Sequence, residues 1–226
     1  MRRALVAWSG GKDSALALAA AREDGSLDVV GLLTAVTPEF DRISIHGTRR
    51  SILLAQADRL GLMLFEAAIQ AGADNAAYER AWSTALSRAC EAVGSVDAVV
   101  YGDLFLTDVR AYRERQCEQL QVEPIFPIWG WPTAEVAKQV IREGYVAYLT
   151  CVDTQQLDAG FAGRLFDADL LRDLPASVDP CGERGEFHTV VVNAPTYSSA
   201  ISVRRGERVL REARFNYCDF EIARLT

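Results

Sequence analysis

Ala4-Leu5-Val6-Ala7-Trp8-Ser9-Gly10-Gly11-Lys12-Asp13-Ser14-Ala15-Leu16-Ala17-Leu18-Ala19 is the stretch that decides the fold. A short apolar run closes on Ser9-Gly10-Gly11, and strong helix formers follow at once, which predicts strand, tight turn, helix. Two glycines let the backbone take positive φ and approach an oxyanion closely, while the helix that begins there points its positive end at the same place. Ser9 and Ser14 add hydroxyl donors and Lys12 adds positive charge. The spacing is neither G-x-x-x-x-G-K-[ST] nor G-x-G-x-x-G, so neither a Walker nor a dinucleotide loop is present.

Downstream the same rhythm repeats. Val29 to Thr34 reads as a second strand, Thr48 to Leu60 as a helix, Leu62 to Ile69 as a third strand and Asn75 to Val93 as a long helix. Asp97 to Tyr101 is a fourth strand, ending at Gly102-Asp103. Asp108 to Leu120 is then a charged helix, and Pro124 to Ile128 a strand. A helix with a capping pattern at Thr133-Ala134-Glu135 runs to Arg142 before Gly144, and Tyr145 to Cys151 makes one more strand. Strands alternating with helices predict an α/β fold with a doubly wound, mostly parallel sheet over residues 1–152. Residues 153–226 change texture. Gly182 to Thr189 is a Gly/Glu-rich turn, Val190 to Val192 is strand-like, and Ile201 to Leu225 alternates apolar and charged residues, predicting a smaller α+β region with antiparallel strands.

Half of the 226 residues are hydrophobic, enough for a substantial core. The chain shows neither an apolar run long enough to span a membrane nor a signal-peptide pattern at Met1-Arg2-Arg3, and this predicts a cytoplasmic protein without membrane association. A net charge of -7 disfavours nucleic acid as a partner, although Arg49-Arg50, Arg110 to Arg115 and Arg204-Arg205 are local basic spots. The five cysteines, Cys90, Cys117, Cys151, Cys181 and Cys218, form no C-x-x-C pair, which excludes the usual zinc and dithiol patterns.

Ser9-Gly10-Gly11-Lys12-Asp13-Ser14 resembles the S-G-G-K-D-S signature of the PP-loop ATP pyrophosphatases, the adenine nucleotide α-hydrolase superfamily. In those enzymes the loop grips the pyrophosphate part of ATP, and a nucleophile attacks the α phosphorus. A second motif, Gly182-Glu183-Arg184-Gly185-Glu186-Phe187-His188-Thr189, is similar to the G-E-x-G-E-[FY]-H-T of the diphthine-ammonia ligase family. Gly102-Asp103-Leu104, Pro127-Ile128-Trp129 and Leu165 to Leu171 match that family in the expected order. Read from the residues alone, two carboxylates three positions apart beside a histidine could bind magnesium, hold an amine, move protons or make a plain turn. Of the two histidines, His188 stands in the motif and His46 stands apart.

The resemblance implies an ATP-dependent ligase in which a carboxylate is adenylated, pyrophosphate leaves, and ammonia or another amine displaces AMP. It implies that Ser9, Gly10, Gly11, Lys12, Asp13 and Ser14 hold the ATP phosphates, with Asp13 on Mg2+. Asp103, Glu183, Glu186 and His188 are its implied catalytic residues. The acceptor is a carboxylate, protein-borne or small, and a homodimer is compatible with the chain. Diphthine-modifying members follow G-D-I with Ser-Asp-Tyr-Gln, whereas this chain continues Phe105-Leu106-Thr107-Asp108-Val109-Arg110, which leaves the acceptor open. Two other readings share the loop: a tRNA-modifying PP-loop enzyme, and a non-catalytic module that binds ATP or AMP.

Overall fold

In the computed structural model, which describes residues 1–43 and 47–223, the first half of the chain winds twice around a parallel sheet. His46, singled out as the second histidine, and Leu225, at the end of the alternating stretch, lie outside the described residues. The parallel strands are β1 (Arg2–Ala7), β2 (Leu27–Thr37), β4 (Met63–Ala68), β5 (Ala98–Val100) and β6 (Glu123–Ile125), and a short β3 (Arg42–Ile43) pairs antiparallel with the end of β2. Side by side they run β4-β2-β1-β5-β6. The helices are α1 (Lys12–Glu23), α2 (Arg50–Leu60), α3 (Asn75–Val93) and α4 (Thr107–Leu120), followed after β6 by α5 (Thr133–Arg142).

The winding can be read in β1, where side chains alternate between faces. Ala4 and Val6 are buried in a core shared with Ala15, Leu18, Ile52 and Leu53 of α1 and α2. Leu5 enters a second core with Trp82, Ala85, Ala89 and Cys117 of α3 and α4. Both faces of the sheet are therefore covered, as parallel strands with crossover helices require. From β1 the chain first builds outward through β2 to β4, then returns to the other side of β1 to place β5 and β6. The sheet thus has its topological switch between β1 and β5, where open α/β sheets form a crevice at the strand carboxyl ends.

A second, antiparallel sheet follows, ordered β8-β7-β10-β9, from β7 (Val146–Asp153), β8 (Phe187–Asn193), β9 (Val203–Arg211) and β10 (Phe215–Ile222), with a short α6 (Ala168–Asp173) between β7 and β8. One expectation is corrected here. The strand expected over Tyr145 to Cys151 as a last member of the parallel sheet is β7, which pairs antiparallel with β8 and β10. A division of the chain by sheets therefore falls in the region of α5, ahead of residue 152. The helix at Thr133 is also entered differently: Pro132 is its N-cap, with no side-chain cap bond, and the Thr133 hydroxyl donates instead to Asp179 Oδ2 at 2.7 Å. The second sheet packs on the α1 and α2 side, because Phe187, Val190, Val191, Cys218 and Phe220 belong to the same continuous core as Ala15 and Ile52. Among the described residues no helix is long and apolar enough to cross a membrane.

Candidate active site

The loop after β1 is shaped by close approach. Gly10 has φ +73°, and a Cβ there would lie 2.8 Å from Gln56 Oε1 and from Leu53 Cδ2. A Cβ on Gly11 would lie 3.0 Å from the Thr189 carbonyl oxygen. Both positions exclude larger residues, one by conformation and space, the other by space. Gly11 is the N-cap of α1 and offers no side chain to its first turn. Of the N–H groups that a helix start leaves without intrahelical acceptors, that of Lys12 donates to Thr189 Oγ1 at 3.1 Å. Those of Asp13 and Ser14 stay at the helix mouth. Around them the Ser9 hydroxyl accepts from Gly11 N at 3.3 Å and meets Ser14 Oγ at 3.1 Å, while Ser14 Oγ donates to the Gly11 carbonyl at 3.0 Å.

Gln56 holds this loop from behind. It is fully buried on α2, accepts from Trp8 Nε1 at 2.8 Å, and donates to the carbonyls of Gly10 at 3.0 Å and Val191 at 2.7 Å. The Val191 N–H of β8 also donates to the Gly10 carbonyl at 2.8 Å, so the second sheet forms part of the loop's support. Lys12 turns inward. The residue is 1% exposed, and its ammonium hydrogen-bonds Asp13 Oδ2 at 2.8 Å and the Cys181 carbonyl and lies 5.5 and 5.6 Å from the ring centroids of Phe166 and Phe187. Burial alone would lower its pKa, but Asp13, through its charge and its hydrogen bond, outweighs burial and raises it, so the buried group stays a cation.

Across the switch point, Gly102 follows β5. A Cβ on it would lie 2.8 Å from the Asp13 carbonyl atoms and 2.9 Å from Ser14 N, so only glycine lets the end of β5 seat against the mouth of α1. Asp103 is carried with it. Its pKa is raised by burial and by the Asp13 charge, against the opposing pull of Arg113. Asp13 Oδ1 and Asp103 Oδ2 are both buried without a hydrogen-bond partner. Two orphaned carboxylate oxygens beside a phosphate-binding loop suit Mg2+, which takes one or two carboxylates and completes its shell with phosphate oxygens and water. No cluster of three or more His, Cys, Asp or Glu residues with metal-binding geometry occurs among the described residues.

The Gly182 to Thr189 segment supplies the opposite wall. Gly182 and Gly185 have φ +70° and +84°, and a Cβ on Gly182 would meet the Phe187 carbonyl at 2.7 Å. Glu186 lies beneath this turn, 1% exposed, with its carboxylate accepting from Asp179 N at 2.8 Å and Arg184 N at 2.9 Å. Asp179 reinforces the turn by accepting from Cys181 N at 2.8 Å. Glu183 instead reaches out to Leu104 and accepts from its N–H at 2.8 Å. Burial pushes its pKa up to about 7, helped by Asp13 and Asp103 and opposed by the Leu104 N–H and Lys12. His188 is half-buried on β8, and burial together with the Lys12 charge lowers its pKa to about 4, leaving a neutral imidazole. Burial also pushes the Cys181 thiol far up, so it is not a thiolate nucleophile.

The expected residues thus fall into two groups. Asp13, Asp103 and Glu183 converge at the switch point with the loop, while Lys12, Glu186 and His188 lie in the layer that joins loop to turn. Gln56, Asp179 and Arg113 were not legible as site residues. The one signal available was a glutamine on the otherwise apolar face Ile52, Leu53, Ala57, Leu60 of α2.

A doubly wound sheet with a glycine loop, a helix mouth and paired carboxylates at its switch point defines an α/β protein with a crevice suited to a phosphate-bearing ligand. Residues 1–124 match the family model of the diphthamide synthase N-terminal domain, and residues 132–225 match that of the diphthamide synthase C-terminal domain. The chain belongs to the diphthamide synthase family. No curated protein matches it. Among solved structures it is similar to one from Methanocaldococcus jannaschii described as a predicted subunit of tRNA methyltransferase, at 15% identity and a TM-score of 0.43, covering 85% of this chain and 98% of that one.

Proposed function

We propose that the protein is an AMP- and pyrophosphate-forming ligase that adenylates a carboxylate and amidates it with ammonia or another amine. The observation that carries this reading is the meeting of the α1 mouth with Asp13, Asp103 and Glu183 at one switch point. A carboxylate oxygen of the acceptor attacks the α phosphorus of ATP, the bond to the bridging oxygen breaks, and pyrophosphate leaves. Ammonia then attacks the acyl carbon and AMP departs with the bonding pair. In this reading Ser9, Gly10, Gly11, Asp13 and Ser14 present N–H and hydroxyl donors to the phosphates, which takes up the charge gathering on the leaving pyrophosphate. Mg2+, held by Asp13 and Asp103, would supply further charge neutralisation at those oxygens.

Glu183 suits the proton step. Ammonium must lose a proton before it can attack, and a carboxylate titrating near 7 can accept that proton and release it again near neutrality. Lys12 keeps its charge beneath the loop and ties loop to turn. Glu186 and His188 act as positioning residues, the first by holding the Gly182 to Gly185 backbone, the second as a neutral side chain at the start of β8.

The test is product analysis with Mg-ATP, ammonium and a panel of carboxylates. AMP and pyrophosphate should appear in equal amounts, dependent on acceptor, and Asp13→Ala should reduce kcat/KM by roughly a hundredfold or more. Formation of ADP and phosphate, or AMP release that ignores both acceptor and ammonium, would overturn the ligase reading.

A further inference from the structure

The wall beside Asp103 and Glu183 is cationic in a chain whose net charge is -7. Arg110 and Arg113 stand on one face of α4, three residues apart. The Arg110 guanidinium lies 4.8 Å from the ring centroids of both Phe126 and Trp129. Arg113 covers Tyr101 at 5.1 Å, and Tyr101 in turn stacks on Phe126 with centroids 5.5 Å apart, so the two arginines share one aromatic wall. From the turn opposite, Arg184 lies 5.9 Å from the Phe105 ring, one residue beyond the Leu104 N–H that holds Glu183.

These cations are only partly taken up inside the protein: Arg113 is held by the Tyr78 side chain, and none of the three closes on a carboxylate in a bidentate pair. Arg113 Nε is 3.9 Å from Asp103 Oδ2, too far for a hydrogen bond, and both atoms are buried without a partner. A pair built only for each other would close to the bidentate contact that arginine and carboxylate favour. Arg110 spends its Nε on Glu114 at 2.8 Å, an exposed pair one helical turn on, and its terminal nitrogens make no hydrogen bond among the described residues. Arg184 has no carboxylate partner among them. The aromatic faces matter too: rings that could cage a quaternary ammonium are already covered by the protein's own guanidinium groups.

We propose that the acceptor is anionic beyond the carboxylate it presents for activation, carrying a second carboxylate or a phosphate that Arg110, Arg113 and Arg184 receive. This rests on the ligase reading above. A cationic acceptor, such as one with a trimethylammonium group, would meet three like charges beside rings that already carry guanidinium groups, and is selected against.

Calorimetric titration of the full chain, with Mg2+ and a non-hydrolysable ATP analogue, tests the charge preference directly. The probes are glutarate, 3-phosphoglycerate and, as the cationic counterpart, γ-butyrobetaine. At least one of the two anions should bind about tenfold or more tighter than the betaine, and which one does so separates a carboxylate from a phosphate as the second group. Arg110→Gln, Arg113→Gln and Arg184→Gln should each weaken that anion roughly tenfold, with affinity for the ATP analogue unchanged in the Arg110 and Arg184 variants. Arg184 is exposed, so its variant keeps the test valid if Arg113→Gln fails to fold. Betaine binding as tight as either anion, no binding of either anion at millimolar concentration, or anion affinity unaffected by all three substitutions would overturn the proposal. Product analysis on the same samples separates the two readings. Arginine-dependent anion binding with ADP as product would sink the ligase alone, whereas AMP formation that prefers the betaine would sink the anionic acceptor alone.

Discussion

Glu183 and His188 titrate in opposite senses, which makes the pH dependence of stability a residue-scale test of the site. Burial raises the Glu183 pKa from 4.5 to about 7, so the folded state binds the extra proton. Its contribution is therefore full below the unfolded value of 4.5 and is lost as pH rises through 7. Burial lowers the His188 pKa from 6.5 to about 4, so its contribution is full above 6.5 and is lost as pH falls through 4. Urea unfolding of the ligand-free protein across this range should show Glu183→Gln removing part of the decline between 4.5 and 7, and His188→Gln removing part of the acid loss between 6.5 and 4. Variant curves parallel to wild type would mean that neither group titrates as its burial requires. Gly102→Ala probes the seat of Asp103: its Cβ would lie 2.8 Å from the Asp13 backbone, and that backbone cannot yield without moving the mouth of α1. Turnover should fall about tenfold or more, with KM for ATP rising, since misplacement by an ångström costs on that scale. Wild-type kinetics in the alanine variant would show that this contact positions nothing.

Helix α2 illustrates how an element, more than any one contact, sets the loop. Its buried face is Ile52, Leu53, Gln56, Ala57 and Leu60, a helical stripe with one polar member. Gln56→Leu keeps the volume but leaves the Trp8 Nε1 donor and the Val191 carbonyl without this partner. The expected cost is about 2–4 kcal/mol by chemical denaturation, together with a weakened ATP affinity. A change within about 0.5 kcal/mol and an unaltered nucleotide Kd would remove Gln56 from the loop's support. Gln56 also marks where sequence reading stops. The loop is legible because strand, glycines and helix are contiguous, and α3 because Ala77, Ala81, Trp82, Ala85 and Ala89 recur at helical spacing; the structure adds the Asp74 cap, which accepts from Ala77 N at 2.8 Å. By contrast, β7 is buried along most of its length, so its sequence looks like a parallel core strand, and nothing local distinguishes that from an antiparallel strand buried between layers. Thr133-Ala134-Glu135 has the form of a cap in sequence because the acceptor of the Thr133 hydroxyl, Asp179, lies 46 residues away. Glu183 reaching Leu104, and Gln56 reaching Val191, are likewise products of topology, visible only once the second sheet has docked on α1 and α2.

That docking makes the two sheets one cooperative body at the scale of the whole molecule. A continuous apolar core runs from Val6 through α1 to Val191 and Phe220, and the loop carbonyl of Gly10 accepts from β8. At the far edge Asp219 of β10 clasps the first sheet, accepting from Arg42 at 2.8 Å and from Arg49 at 2.5 Å, while Arg49 also reaches Glu221 at 2.8 Å. Burial would raise the Asp219 pKa, but the two arginines outweigh it and hold it down to about 2. A lowered carboxylate contributes above its unfolded pKa of 3.8 and ceases to as pH falls through 2. The clasp is part-exposed and screened, so Asp219→Asn should cost only about 1 kcal/mol near neutrality, less in high salt, and nothing once the wild-type carboxylate is protonated. The shared core carries the stronger expectation. Unfolding followed by tryptophan fluorescence, to which Trp8 and Trp82 of the first sheet's two cores contribute, should coincide with unfolding followed by far-UV circular dichroism of the whole chain. Asp219→Asn should shift both curves together with an unchanged m-value. If the curves separate in wild type, or the substitution splits a single transition into two, the second sheet folds on its own. The support it gives to the phosphate loop would then be a contact between independent units.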